Sequence, residues 1–88
     1  MTGSSSQLVT VYSTDHCGDC VRSKHFLDAN GVTYTSINIE YDEKAANHVM
    51  SLNNGYQSVP VITFPDGTHL TEPSDKALEA KLKELSIL

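Results

Sequence analysis

Cys17-Gly18-Asp19-Cys20 contains the only two cysteines of the 88-residue chain. Alternating apolar residues from 7 to 13 predict a strand before this stretch, and the spacing of residues 21–27 is that of a helix. A C-x-x-C between a strand and a helix in a small chain is typical of a redox motif. Because residues at i and i+3 share one side of a helix, the two sulfurs can reach disulfide geometry with little backbone movement. We therefore expect one sulfur to attack a partner and the other to release it.

The size and charge of the chain limit its class. Eighty-eight residues with 39% apolar content suffice for one domain with a single core. The formal net charge of −5 argues against a nucleic-acid binder, which normally shows a basic face, and against a polybasic membrane anchor. No run approaches the roughly 20 apolar residues of a transmembrane helix. We expect a flexible tail over residues 1–6 and one domain over residues 7–88.

The N-terminal residues and the cysteine count indicate a compartment. Residues 1–6 have neither the basic region nor the apolar region of a signal peptide. Two cysteines are too few for a disulfide scaffold, and in a reducing compartment disulfides tend to be catalytic and transient. We expect a cytoplasmic protein.

Apolar periodicity and turn residues predict seven elements in the order β-α-β-α-β-β-α. The predicted strands cover residues 7–13, 32–40, 59–64 and 68–71, and the predicted helices cover residues 17–29, about 43–52, and the segment that follows Ser74. Asp42 and Ser74 are predicted N-caps, and Val21, Phe26 and Leu27 are predicted to form the buried face of the first helix. The first two strands, joined through a helix, should be parallel with a right-handed crossover. The sequence thus predicts an α/β fold with a four-stranded mixed sheet and three helices.

Three stretches resemble the glutaredoxins, a family of the thioredoxin-fold group. They are Cys17-Gly18-Asp19-Cys20 after the first strand, Ser58-Val59-Pro60 in place of the family's Thr-Val-Pro loop, and Thr71-Glu72-Pro73-Ser74-Asp75 in place of its Gly-Gly-x-Asp-Asp turn. The resemblance extends from Leu8 to Leu85 and is closest to the mycoredoxins, which share stretches corresponding to Asn53-Asn54-Gly55 and to residues 66–74. It implies a thioredoxin-like fold and a thiol-disulfide oxidoreductase that uses a low-molecular-weight thiol.

The two cysteines are expected to have unequal roles. Cys17 should lie at the N-terminus of its helix, where unpaired N–H groups and the helix dipole favour a thiolate. The dipole contributes about 0.3–1 kcal/mol, less than one pKa unit, so N–H···S bonds must provide most of any large lowering of the Cys17 pKa. Cys20, one turn further in, is predicted to be the less accessible resolving thiol. The alternative of two inert structural cysteines is common in general but fits this spacing poorly.

The residues between the cysteines are also predicted to belong to the site. Gly18 allows a partner backbone to come close. Asp19 replaces the tyrosine of the commoner Pro-Tyr dipeptide, and its charge opposes thiolate formation and repels anionic partners. An equally good interpretation of Asp19 is a solvated first-turn residue that complements the helix dipole.

The resemblance adds residues from two other segments. It implies that Pro60 is cis and faces the redox motif, and that the Val59 backbone binds an extended substrate as an added strand does. It also implies that Ser74 and Asp75 contact the low-molecular-weight thiol, although simple N-capping explains both residues as well. Gln57 occupies a position near the Val-Pro loop where the family has Arg, Lys or Gln.

The charges near the motif favour one class of thiol. Glutathione has two carboxylates, and glutathione-specific relatives hold them with a Lys three residues before the first cysteine and with a residue near the Val-Pro loop. Here these positions carry Thr14 and the neutral Gln57, while Asp19 and Glu72 add negative charge. Mycothiol is therefore expected to be preferred over glutathione. Bacillithiol stays open as a co-substrate, but its malate carboxylates make it a poorer match than mycothiol.

Two other functions are kept as alternatives. One is a dithiol protein-disulfide reductant recycled by thioredoxin reductase, such as the electron donors of ribonucleotide reductase; those donors usually carry a Trp-Ser-Gly-Phe stretch, and this chain has no Trp. The other is a metal-binding or redox-sensing module, suggested by His16, Cys17, Cys20 and His25, although structural zinc sites usually draw a second ligand pair from a distant segment. In each case we expect the protein to be a monomer. In the leading interpretation, its clients are disulfide-bearing proteins.

Overall fold

The computed structural model describes residues 9–88, which form three helices and four strands in the predicted order. The strands are β1 (Thr10–Ser13), β2 (Thr35–Asn38), β3 (Val61–Thr63) and β4 (His69–Thr71), and the helices are α1 (Gly18–Ala29), α2 (Glu43–Leu52) and α3 (Asp75–Glu84). A single 3-10 turn, Ile39–Tyr41, separates β2 from α2. The predicted tail, Gln7 and Leu8 lie outside the described residues. The strands are shorter than predicted because apolar alternation continues into segments that leave the hydrogen-bonded ladder.

The four strands form one mixed sheet in the order β2-β1-β3-β4. β1 and β2 are parallel, with Thr10 opposite Thr35, whereas β3 is antiparallel to both β1 and β4. The α1 connection returns the chain to the end of the sheet at which β1 begins, so that β2 can pair parallel to β1. The predicted four-stranded mixed sheet and its antiparallel hairpin are confirmed.

Helices cover both faces of the sheet because successive strand residues point to opposite sides. Val61 and Ile62, adjacent in β3, are both fully buried but belong to different apolar clusters. The larger cluster joins β1 and β3 to α1 and α3, with Val9, Val11, Leu27, Val32, Ile62, Phe64, Leu78 and Leu82. The smaller cluster joins β3 to α2 and consists of Ile39, Ala45, Ala46, Val49 and Val61. Both α1 and α3 therefore pack on one face of the sheet, and α2 packs on the other.

The predicted buried face of α1 is wrong at one position. Val21 is 64% exposed, and the buried residues of the helix are Cys20, Ser23 and Leu27. These follow i, i+3 and i+7 spacing, and Val21 is rotated by about 100° from Cys20 around the helix axis. The small side chains of Cys20 and Ser23 therefore line the buried face near the redox motif, and the apolar Val21 next to them faces solvent.

Candidate redox site

Cys17 lies directly before α1, as its N-cap. Its backbone is extended (φ −135°, ψ 103°), and its Sγ accepts a hydrogen bond from the Cys20 N–H at 3.1 Å. The two cysteines form a disulfide with a Cα–Cα distance of 5.2 Å, as the spacing predicts. An N-cap position leaves nearby N–H groups without helical partners, so backbone donors are available to the Cys17 sulfur.

The two sulfurs differ in accessibility. Cys17 is partly exposed, whereas Cys20 is only 1% exposed and packs on the buried face of α1. Gly18 and Asp19 lie between them on the exposed side of the first turn. An external disulfide can therefore reach Cys17, and the nearest partner for Cys20 is Cys17 itself.

Val59 and Pro60 face Cys17 across the site. The carbonyl oxygen of Val59 is 3.8 Å from Cys17 Sγ. The Val59–Pro60 peptide bond is cis, as the resemblance implies. Pro60 is buried, and its carbonyl accepts a hydrogen bond from the Glu72 N–H at 2.8 Å. The loop before β3 is thus joined both to the redox motif and to the turn before α3.

The turn of residues 71–75 forms a third side of the site. Thr71 Oγ1 donates to Asn53 Oδ1 at 2.7 Å, which connects the turn to the end of α2. Ser74 is the N-cap of α3 and accepts from the Ala77 N–H at 3.1 Å, so the predicted capping role is confirmed. Glu72 has a φ of 49°, in the left-handed region that favours glycine. The exposed Ser74 and the partly buried Asp75, with which α3 begins, lie at the side of the turn that meets α1.

Arg22 is the site residue that the sequence reasoning missed. One guanidinium nitrogen donates to Asp75 Oδ1 at 2.7 Å, and the other donates to the Pro73 carbonyl at 3.2 Å. The second nitrogen also lies 3.5 Å from Asp19 Oδ1. The i, i+3 spacing of Asp19 and Arg22 could have indicated their ion pair. The contacts to α3 join residues more than fifty positions apart in the chain and had no local signal.

Gln57 is the predicted site residue with the weakest connection to the disulfide. It is exposed, and its Nε2 lies 3.7 Å from Met50 Sδ at the end of α2. Its place two residues before Val59 puts it beside the loop that faces Cys17, but the structure records no contact between Gln57 and the redox motif.

The loop before Cys17 is held by an acidic residue. Asp15 accepts hydrogen bonds from Asn38 Nδ2 at 2.7 Å and from the Tyr41 hydroxyl. The Asp15 N–H donates to Glu40 Oε1 at 2.6 Å. The hydrogen bond from Tyr41 to Asp15, and the charge of that carboxylate, raise the pKa of Tyr41. A further negative charge therefore lies two residues before Cys17.

Neither a candidate metal site nor a membrane-spanning helix is present among the described residues. Among residues 9–88, no three His, Cys, Asp or Glu side chains lie close enough together to hold a metal ion. Within the same residues, every helix is too short or too polar to cross a membrane.

Comparison with known proteins points to one family. The family model described as Glutaredoxin matches residues 9–70. A Mycobacterium tuberculosis protein assigned to the glutaredoxins is 41% identical over 78 residues, which cover 89% of this chain and 93% of that protein. Mycoredoxin 1 of Corynebacterium glutamicum is 38% identical over 78 residues, which cover 89% of this chain and 96% of that protein.

A solved structure agrees with the sequence relatives. The crystal structure of a glutaredoxin from Archaeoglobus fulgidus is 32% identical, with a TM-score of 0.68, and the match covers 89% of this chain and 84% of that chain. The predicted thioredoxin-like fold and the resemblance to glutaredoxins and mycoredoxins are confirmed.

Proposed function

The chain belongs to the glutaredoxin family of thiol-disulfide oxidoreductases, and we propose that it reduces mixed disulfides between proteins and a mycothiol-type thiol through nucleophilic Cys17. The observation that carries this proposal is the unequal exposure of the two sulfurs. Cys17 is partly exposed at the N-terminus of α1, and Cys20 is 1% exposed behind it. The Cys17 sulfur can attack an external disulfide, whereas the Cys20 sulfur can attack only Cys17.

The first step transfers the small thiol to the enzyme. The Cys17 thiolate attacks the small-thiol sulfur of the mixed disulfide, the old S–S bond breaks, and the client protein leaves as a thiolate that takes a proton from solvent. Val59 offers its backbone N–H and C=O to the incoming chain, and its carbonyl is 3.8 Å from Cys17 Sγ. The small thiol then occupies the groove between the Val59–Pro60 loop and the turn of residues 71–75.

The second step restores the enzyme by one of two routes. A second small thiol attacks the bound small-thiol sulfur, forms a small-thiol disulfide and leaves Cys17 reduced. Alternatively, Cys20 attacks Cys17 Sγ, releases the small thiol and forms the Cys17–Cys20 disulfide, which a reductant must then open. Both routes transfer two electrons to the client. The burial of Cys20 favours the first route, because its sulfur must become a thiolate in apolar surroundings before it can attack.

The charges around Cys17 support a weakly acidic or neutral co-substrate. Four carboxylates, from Asp15, Asp19, Glu72 and Asp75, lie on the segments that surround the site, whereas Arg22 is the cation that contacts two of them. A dianionic thiol such as glutathione meets like charge here, and a sugar-linked thiol such as mycothiol does not. Similarity to a mycoredoxin supports the same choice. Bacillithiol is expected to fall between the two.

A panel of co-substrates tests the proposal. The protein is assayed with mixed disulfides of mycothiol, bacillithiol and glutathione on one cysteine-containing peptide, each with its own thiol as reductant. We expect kcat/KM for mycothiol to exceed that for glutathione by about tenfold, corresponding to about 1.4 kcal/mol. The difference should shrink as salt is added, because exposed charges are screened. Equal or higher activity with glutathione would contradict the assignment of the thiol.

A parallel arm tests the dithiol alternative. The protein is mixed with thioredoxin reductase, NADPH and a protein disulfide in the absence of any small thiol. Rapid NADPH consumption would identify a dithiol reductant of the kind that supplies ribonucleotide reductase. We expect slow consumption and activity that depends on added mycothiol. We expect the clients to be disulfide-bearing proteins. We expect the enzyme itself to act as a monomer.

A further inference from the structure

Three chain segments build the redox site, and each is joined to the next by a direct contact. The Val59 carbonyl faces Cys17 Sγ at 3.8 Å, which joins the loop before β3 to the redox motif. The Glu72 N–H donates to the Pro60 carbonyl at 2.8 Å, which joins the turn of residues 71–75 to that loop. The third contact, between this turn and the helix of the redox motif, is made by Arg22.

The chemistry of arginine suits this third contact. A guanidinium has five N–H donors in a planar fork, and a lysine ammonium is a compact point charge. Arg22 uses two nitrogens to hold two acceptors on the turn, the Asp75 carboxylate and the Pro73 carbonyl, at 2.7 and 3.2 Å. It also lies 3.5 Å from Asp19, inside the redox motif itself. One side chain therefore connects the first turn of α1 to the start of α3.

We propose that Arg22 is a positioning residue of the redox groove, which holds the turn carrying Ser74 and Asp75 at a fixed place beside Cys17. The proposal rests on the proposed function, in which the small thiol occupies the groove between this turn and the Val59–Pro60 loop. Arg22 acts through Asp75 and Pro73 and has no recorded contact with the sulfurs. Its loss should therefore weaken binding of the mixed disulfide more than it slows the exchange step.

The rest of the fold does not depend on Arg22. Its side chain is 39% exposed and its carboxylate partners are 58% and 48% exposed, so the ion pairs contribute little to global stability. The turn keeps its hydrogen bonds to Pro60 and, through Thr71, to Asn53. Removal of Arg22 therefore frees the α3 side of the turn while the domain stays folded.

Three variants test the proposal. Arg22→Met removes the fork and the charge at similar volume, and Arg22→Lys keeps the charge without the fork. Lys24→Met is the matched control, because it removes one positive charge from the same helix. KM and kcat are measured with the mycothiol mixed disulfide of a cysteine-containing peptide, and thermal melting confirms that each variant is folded.

We expect Arg22→Met to raise KM by about threefold to tenfold, with kcat within about twofold of the wild type. Arg22→Lys should restore less than half of the loss, and Lys24→Met should change KM by less than about twofold. An unchanged KM in Arg22→Met overturns the proposal. Full rescue by lysine also overturns it, because charge alone would then be sufficient.

Amide hydrogen exchange gives a readout that does not require activity. In Arg22→Met, the amide of Ala77 should exchange faster, since it donates to the Ser74 cap on the α3 side of the turn, whereas the amide of Glu72 should change little because its bond to Pro60 is kept. The amide of Ile62, in the core of the sheet, should be unaffected. Unchanged exchange at Ala77 would overturn the positioning role. If the wild type reduces no mixed disulfide, the proposed function fails, and the exchange measurement alone decides whether Arg22 holds the turn.

Discussion

The carboxylates near the two ends of β3 differ in the number of hydrogen-bond donors and cations that contact them. At the hairpin end, which we define as the turn of residues 65–68 with Lys81, Asp66 Oδ1 accepts from the Thr68 N–H at 3.0 Å and from its hydroxyl at 2.6 Å. Asp66 Oδ2 lies 3.2 Å from Lys81 Nζ. At the redox end, which we define as residues 17–23, the Val59–Pro60 loop and the turn of residues 71–75, Asp19 and Asp75 share the cation Arg22.

The difference separates stability from recognition. Hydrogen bonds from the Thr68 hydroxyl and N–H, with help from Lys81, lower the pKa of Asp66 to about 2. The hydrogen bond to Asp66 in turn raises the pKa of Lys81, whose ammonium lies 6.0 Å from the Phe64 ring centroid. Donors at the hairpin end thus satisfy one carboxylate completely. The redox end keeps an excess of negative charge, and that excess is available to select a ligand.

The largest expected effect comes from replacing one cysteine at the redox end. Cys17→Ser should lower mixed-disulfide reduction by about a thousandfold or more, because it removes the attacking thiolate. Cys20→Ser should keep much of the activity, since a second small thiol can release the product from Cys17. The measurement is kcat/KM with the mycothiol mixed disulfide. Complete loss in both variants would leave the dithiol route as the only one.

The next largest effect is expected when one negative charge is removed from the redox end, which brings its charge balance closer to that of the hairpin end. Glu72→Gln and Asp19→Asn should each raise kcat/KM for the glutathione mixed disulfide by about twofold to fivefold, because each removes one like charge from the dianion's path. Glutamine at position 72 must adopt the same left-handed backbone conformation as glutamate, so the substitution changes only the charge. Glu84→Gln, the same charge change on α3 beside Lys81, should leave this value unchanged. An equal rise in the control would show that net charge, and not its location, governs the choice of thiol.

A smaller effect tests the hairpin end. Because the pKa of Asp66 is lower in the folded protein than its ordinary value of 3.8, its stabilising contribution is fully present above pH 3.8 and is lost as the pH falls to about 2. Asp66→Asn should therefore melt below the wild type at pH 7, and the two melting curves should converge near pH 2. Mixed-disulfide reduction at pH 7 should be unchanged. A melting difference that persists at pH 2 would assign the effect to something other than ionisation.

Much of the fold was predictable because its signals are local. Asp42 and Ser74 were predicted as N-caps and cap α2 and α3 through the Ala45 and Ala77 N–H groups. A cap depends on residues within one helical turn, and the apolar period of a helix depends on its own sequence. The pairing of the cysteines at i and i+3 has the same local origin.

The parts that were not predicted depend on how elements meet. Val21 was predicted to be buried and is 64% exposed, because the rotation of α1 about its axis is set by packing against the sheet and α3. The same packing brings Arg22 to Asp75, and the course of the 3-10 turn brings Tyr41 to Asp15. The charges in the sequence correctly indicated an acidic site. They did not indicate that Arg22 forms ion pairs with Asp19 and Asp75.

The smallest expected effect concerns one hydroxyl at the redox end. Ser23 is fully buried, one turn beyond Cys20 in α1, and its Oγ has no hydrogen-bond partner among the described residues. Ser23→Ala should leave the free energy of unfolding unchanged or raise it by up to about 1 kcal/mol, because an unsatisfied buried hydroxyl is removed. The same substitution at Ser74 should lower stability by about 1 kcal/mol, since it removes an N-cap. Urea denaturation measures the free energy of unfolding of both variants. A stabilised Ser23→Ala with full activity would make the hydroxyl a stability defect alone. A stabilised variant with slower turnover would show that the redox end gives up stability for the reaction, which the hairpin end does not.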